Sequence, residues 1–319
     1  AFLLADALRS FWENGGGSAL IISVGTYEQE GKEKKAIHFD KALAKLAKAK
    51  ENRLLVIPEA ILLSDKDYRS LSNKMLSTAA RTRSFALLDV KYEVGQNVST
   101  AAQNFRNSIN SNHTKEGAAY FPYVKLNEAS WMGPSASVAG QIVGRDASKG
   151  VWKAPANIAL TVDELERNIS EGEQQILNTD PHAGLSINAI RSFSGRGILI
   201  WGARTLDANS NEWRYVPVRR FILMLDREVS AILQKYKQAP NSQASWNAIK
   251  TEVETLLADF WRKAAFSGSK AKAAYFVKVG LGETMTQQDI QDGNIVLELG
   301  VAMTRPAEFI IRKHTLSLE

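Results

Sequence analysis

The chain has 319 residues, 45% apolar and 23% charged, which excludes a disordered tract or a fibre and gives length for about two domains. It contains no cysteine, which removes thiolate metal sites, disulfides and cysteine nucleophiles, and no apolar run approaches the roughly 20 residues that span a bilayer. The net charge of +6 admits a nucleic-acid partner, an acidic protein surface or a merely solvated face, and its distribution has to decide.

The sequence opens inside an amphipathic helix, AFLLADALRSFW, without an initiator methionine, so part of the N-terminal fold is expected to lie outside it. No basic segment followed by a cleavable apolar stretch precedes that helix, and assembly in the cytoplasm is the expectation. The glycines of ENGGGS stop the helix, and ALIISVG, Ala19 to Gly25, reads as a β-branched strand. Lys32 to Lys50 is the densest basic block. Its lysines recur on one side of a helical pattern and Ile37, Leu43 and Leu46 on the other, which reads as a solvated amphipathic helix.

RLLVIPEA, Arg53 to Ala60, reads as a continuously apolar strand ended by Pro58. Ser64 and Asp65 can cap the helix that follows, and SFALLDV reads as another buried strand. A helix over VSTAAQNFRNSIN then precedes AAYFPYVKL, whose aromatics suit a strand. Four alternations of strand and helix with short connections imply an α/β fold with a parallel sheet. In SASVAGQIVG, residues Ala136, Ala139 and Gly140 would let a neighbouring backbone approach a helix closely. GVWKAPAN reads as extended, Thr161 with Glu164 matches a capping box, and Gln174 to Ser186 reads as turn. A strand around Ile198 to Trp201, helices over Val218 to Lys237 and Trp246 to Phe260, and strands AYFVKVGL, NIVLELGVAM and AEFIIRKHTL complete the chain. The domain boundary is expected near Asn188, giving domains 1–188 and 189–319.

Chemical signatures are sparse. In SFSGRGILIWGARTL the glycines Gly195 and Gly197 lead into a strand and Gly202 leaves it into a polar loop, the reverse of a dinucleotide fingerprint. Turn and close-packing roles are favoured for them over a phosphate cradle. His38, His113, His182 and His314 lie far apart, outside any zinc motif, and no GxSxG elbow occurs. Glu59 and Asp89 could stand at the carboxyl ends of strands, where α/β enzymes keep catalytic acids, but such acids more often cap the next helix. NEWRYVPVRRFILMLDRE places Arg219 and Arg220 at the rim of a helix, with Glu212 or Asp226 available as partners. No recognised nucleic-acid signature accompanies them, so no nucleic-acid partner is expected.

GVWKAPAN, INAIRSFSGRGILIWGARTL, NEWRYVPVRRF and YFVKVGLGETMTQQDIQDGNIVLELGVAMTRPAEFIIRK, in this order, resemble the C-terminal region of contractile tail sheath proteins. That family forms the sheaths of phage tails and of phage-tail-like injection systems of the anti-feeding-prophage and Photorhabdus-virulence-cassette types. The resemblance is strongest over residues 150–313, and the helix, glycine turn and strand of AFLLADALRSFWENGGGSALIISVG are similar to the family more loosely. It implies a subtilisin-like α/β domain without proteolytic activity over residues 1–188, with a parallel sheet, and an α+β C-terminal sheath domain over 189–319.

Such a subunit stacks in helical rings around an inner tube, contracts to drive the tube through a target envelope, and works with baseplate and terminator proteins. It uses no cofactor and no nucleotide, and inserts into no membrane. The resemblance further implies a C-terminal arm from Ala307 to Leu318 that adds a strand to a neighbour's sheet, with Ala307, Glu308, Phe309, Ile310, Ile311, Arg312 and Lys313 as its core. A tube-facing surface would draw on Asp289 and Asp292 or on Arg219 and Arg220. An α/β hydrolase or nucleotide-binding enzyme using Glu59 and Asp89 is the alternative.

Overall fold

The computed structural model describes residues 2–25, 35–46, 53–127, 129–178, 180, 184–303 and 309–318. The chain divides into two compact units, residues 1–220 and 221–319. The boundary expected near Asn188 instead falls inside a strand of the first unit, because residues 187–189 pair with the main sheet.

The first unit opens with α1 (Leu4–Glu13), α2 (Ala36–Leu46), β1 (Leu54–Leu55) and α3 (Asp65–Thr82). It continues through β2 (Phe85–Asp89), α4 (Val98–Ser108), β3 (Gly117–Phe121), β4 (Val124–Lys125) and α5 (Ser135–Lys149). Next come β5 (Ile158–Ala159), β6 (Glu164–Leu165), α6 (Glu171–Asn178), β7 (Ile187–Phe193) and β8 (Gly197–Ile200). The division between the units lies within α7 (Val216–Gln234). The main sheet has the order β1-β2-β3-β7-β8-β5, parallel from β1 to β7 and antiparallel beyond. The fold is therefore mixed α/β with a largely parallel sheet, as the alternating pattern implies.

All residues of β2 and β3 are buried, which requires cover on both faces. Side chains alternate across a strand, and that alternation assigns the covering helices. Leu76 of α3 lies over Gly117, beside Ala86, whereas Asp89, three residues on and so on the other face, bonds Ser135 of α5. α3 starts at Ser64, whose hydroxyl accepts from the Asp67 N–H at 3.2 Å, and its buried Tyr68, Leu71, Met75 and Ala79 follow helical spacing. α1 packs on α5. A Cβ added at Gly140 would stand 2.2 Å from the Phe11 carbonyl oxygen, so only glycine admits this crossing, as the small-residue pattern implies.

Four segments depart from the sequence reading. Residues 19–25 form neither helix nor strand, pair with no strand among the described residues and are largely exposed, although their composition is that of a strand. The buried face of α2 is Ala36, Phe39 and Leu43, while Ile37 is 67% exposed, because Phe39 rather than Ile37 aligns with Leu43 over one helical turn. Residues 164–165 form β6 rather than a helix, since the Asp163 and Glu166 N–H groups donate to the Lys125 and Tyr123 carbonyls across from β4. The polar stretch after Ser170 contains α6, started by a Ser170–Glu173 capping pair and anchored by buried Leu177.

The second unit carries the later part of α7, then α8 (Gln243–Arg262), α9 (Ala271–Ala274), β9 (Tyr275–Val279), α10 (Gln287–Gln291), β10 (Asn294–Ala302) and β11 (Phe309–Ser317). Its sheet is antiparallel in the order β11-β10-β9. Phe221 of α7 meets Phe260 and Phe266 edge-to-face at 5.1 and 5.6 Å, and these rings form an aromatic core. Among the described residues, no helix of either unit is long and apolar enough to cross a membrane.

Candidate functional site

β11 is the element on which the expected arm falls. It pairs with β10 of its own chain along its whole length, from Phe309 opposite Ala302 to Ser317 opposite Asn294. Its other edge meets no strand among the described residues. Ala307 and Glu308 lie outside the described residues. Within the strand the period-two pattern is regular: Ile310 and Leu316 are buried, while Phe309 and Ile311 on the opposite face are 40% and 54% exposed.

The outer face of this sheet is organised by cross-strand rows. Phe276 of β9 lies across Gly300, where a Cβ would come within 2.2 Å of its ring, and meets Phe309 at 5.5 Å. In the next row Glu298 stands between Lys278 and Lys313, 3.5 and 3.4 Å away. These pairs are solvent-open, so each contributes at most about 1 kcal/mol and fixes register more than stability.

The inner face is held by a different device. Arg312 reaches Asp226 of α7 with two parallel bonds, Nε to Oδ1 at 3.0 Å and an Nη to Oδ2 at 2.7 Å. His314 Nε2 lies 3.3 Å from the same Oδ1, in ion-pair range but without the alignment of a hydrogen bond. Burial pushes the Asp226 carboxyl up, but His314 and Arg312 together outweigh it and hold it below the usual carboxylate range. Asp226 thus ties the middle of β11 to a helix.

Of the charged candidates, Arg219 is buried rather than at a rim. It forks onto Glu116 at 2.9 and 2.6 Å and stacks over Trp213 at 4.8 Å. Arg220 forks onto Asp146. Neither takes Glu212 or Asp226, the partners available nearby in the sequence, because the actual acids are brought in by other elements, 103 and 74 residues away. Asp289 accepts from the Thr286 backbone and hydroxyl, both at 2.7 Å, as half of a capping box on α10, whereas Asp292 is exposed at the end of that helix.

The strand-end acids are both engaged by helix termini. Glu59 accepts from the Leu3 and Leu4 N–H groups at 3.2 and 2.9 Å, and Asp89 accepts from the Ser135 N–H at 2.7 Å and its hydroxyl at 2.6 Å. Burial raises the Asp89 carboxyl to about 7 against the lowering by Ser135. The folded state therefore binds the Asp89 proton more tightly than the unfolded chain does, and this group's contribution to stability is lost as pH rises from about 4 towards 7. Urea unfolding midpoints across that range are expected to depend less on pH in Asp89→Asn than in the parent. An equal dependence would assign the effect elsewhere. Gly195 and Gly197, both at positive φ, form the β7–β8 hairpin turn, and Gly202 lies against Asn188, so these glycines serve turns and packing.

Comparison with known proteins follows this geometry. No protein-family model matches the chain, and no curated protein does so. Among solved structures, a chain of the contracted helical sheath of the anti-feeding prophage is 31% identical at a TM-score of 0.75, over 98% of this chain and 81% of that one. A chain of the contracted sheath complex of an extracellular contractile injection system, PVC, is 30% identical at a TM-score of 0.78, over 98% and 81%. The chain belongs to the contractile sheath proteins. A sheath tail protein of Desulfitobacterium hafniense, 14% identical at a TM-score of 0.63 over 95% and 65%, shares the fold.

This chain is thus a structural sheath subunit of a phage-tail-like contractile system. The anchor of β11 on Asp226 is the feature that local sequence reading misses. The β propensity of Phe309, Ile310 and Ile311 signals a strand, but nothing in the spacing from Asp226 to Arg312 announces their pairing, 86 residues apart.

Proposed function

We propose that this sheath subunit polymerises in helical rings around an inner tube, contracts to drive that tube through a target envelope, and performs no enzymatic chemistry of its own. The reading rests chiefly on β11: a nine-residue strand with one edge unpaired among the described residues and two large apolar side chains exposed on its outer face. Such an edge accepts or donates a strand through backbone hydrogen bonds, which leave the attached cores free to move as rigid bodies. The arm over Ala307 to Leu318 would make that exchange between copies. Asp289 and Asp292 of the second unit and Arg220 of the first, beside Asp146, remain the proposed tube-facing charges, and the buried Arg219 supports the first unit from inside. Assembly in the cytoplasm, terminator binding and a subtilisin-like character of the α/β domain belong to the same proposal. The engagement of Glu59 and Asp89 as helix caps disfavours the enzyme alternative.

Deletion of residues 307–319 from polymerising protein is expected to abolish tubes and rings in negative-stain micrographs while circular dichroism still reports a folded α/β chain. Tubes of normal length from the deleted protein would overturn the role given to β11.

A further inference from the structure

The β7–β8 hairpin projects from the main sheet. β7 pairs with β3 only from Ile187 to Ala189, and β8 pairs with β5 only at Leu199 and Ile200, so residues 191–197 have no neighbouring strand but each other among the described residues. A two-stranded ribbon is marginal in water, and stacked side chains stiffen this one. Arg191 and Phe193 fall on one face, where the register sets Leu199 and Gly197 opposite them. Gly197 puts no side chain over Phe193. The Phe193 ring lies 4.5 Å from that of Trp201, and the guanidinium carbons of Arg191 and Arg196 lie 5.0 and 5.9 Å from it. Arg191 Nε donates to the Ile169 carbonyl at 2.9 Å and an Arg196 Nη to Asn157 Oδ1 at 2.5 Å, which fixes both side chains.

Neither arginine meets a carboxylate among the described residues, although Arg167, Arg219 and Arg220 of the same unit each do. A guanidinium held against an aromatic ring keeps its N–H edge free for a planar two-bond grip on a carboxylate, which an ammonium cannot make. Arginine and large aromatics are also the residues that dominate binding between proteins. The ribbon therefore fits a partner that presents carboxylates.

The same unit carries such a stretch. Asp163 to Glu173 holds five carboxylates against one cation, Arg167. The fold uses three of them: Asp163 accepts from the Asn127 N–H, Glu166 binds Arg167, and Glu173 caps α6 at Ser170. Glu164 and Glu171 are exposed, and neither forms an ion pair among the described residues. Ile169, which receives Arg191, lies inside this stretch, so ribbon and acids border one rim of the unit without pairing within it. Complementary patches side by side on one body meet between copies displaced along the rim. That contact is head-to-tail, the kind that propagates into rings or open helices.

We propose that the β7–β8 ribbon docks on a second copy of this chain, with Arg191 and Arg196 gripping Glu164 and Glu171 of that copy and Phe193 packing between them. The proposal rests on the polymerisation reading above and adds a contact separate from β11.

The chain has no cysteine, so Ser194→Cys at the exposed ribbon tip carries a benzophenone maleimide as the single label of the full chain. Illumination is expected to give covalent dimers whose linked peptide lies within residues 161–173 of the second copy. Reversing the charge in Arg196→Glu is expected to lower the dimer yield about tenfold while circular dichroism stays unchanged, and so is Glu164→Lys with Glu171→Lys. Mixing labelled Arg196→Glu copies with the double lysine variant is expected to restore the yield. Cross-links elsewhere on the second copy, or a yield that charge reversal leaves unchanged, would overturn the contact. Tubes in negative-stain micrographs without this cross-link would overturn the contact and leave the polymerisation reading standing. Monomers at every concentration, without cross-links, would overturn both.

Discussion

Arg219→Ala is expected to destabilise the first unit by about 3–5 kcal/mol, the cost of leaving a buried carboxylate without its cation. The Glu116 and Arg219 side chains are only 3% and 8% exposed, and the guanidinium is fixed by two bonds at 2.9 and 2.6 Å and by the face of Trp213. Both side chains are shielded from solvent, so the penalty is desolvation of an unpaired carboxylate rather than a lost surface attraction. Urea unfolding, with midpoint and slope measured separately, reads the change. The double variant Arg219→Met with Glu116→Leu is expected to recover much of the loss, because an apolar pair of similar volume removes both charges. A loss below about 1 kcal/mol in Arg219→Ala would place the arginine among screened surface pairs and return it to the tube-facing candidates.

What could be read in advance follows the range of the forces involved. Local signals were legible. Ser64 at a helix start, the small residues of α5 and the buried run FALLD each specify their structure within a few residues, and each appears where expected. Readings failed where a distant segment decides. Thr161 and Glu164 satisfy a helix-capping pattern, but the Thr161 N–H donates to Asn14 Oδ1 and the following residues pair with β4. Arg219 and Arg220 look like rim charges because their helix is amphipathic, and only the fold brings Glu116 and Asp146 to them. The candidate site divides in the same way. The β-forming residues of β11 show a strand, whereas its anchor on Asp226 is a long-range pairing between residues that carry no local mark.

Asp226→Ala is expected to cost about 3–5 kcal/mol and to loosen β11 before the rest of its sheet. Asp226 is buried and takes both bonds of the Arg312 fork, so its removal leaves Arg312 unpaired on the inner face of β11. Among the described residues one strand edge, with buried Ile310 and Leu316, then holds β11, and its exposed outer face adds little burial to oppose opening. Exchange of the Phe309 to Ser317 amides is expected to accelerate by roughly 10²–10³-fold, since each 1.4 kcal/mol is about tenfold, while β9 and β10 change less. The pH dependence has a definite sign. The folded-state carboxyl lies below its ordinary value, so the unfolded chain binds the proton more tightly, and the stabilisation is complete above about pH 4 and lost as pH falls through the folded value. Arg312 stays cationic throughout that range, so acid releases the strand by neutralising Asp226. Asp226→Asn should abolish this acid sensitivity while keeping the side-chain volume. If β11 exchanges no faster in either variant than in the parent, the backbone ladder to β10 and the buried Ile310 and Leu316 hold the strand without the Asp226 latch.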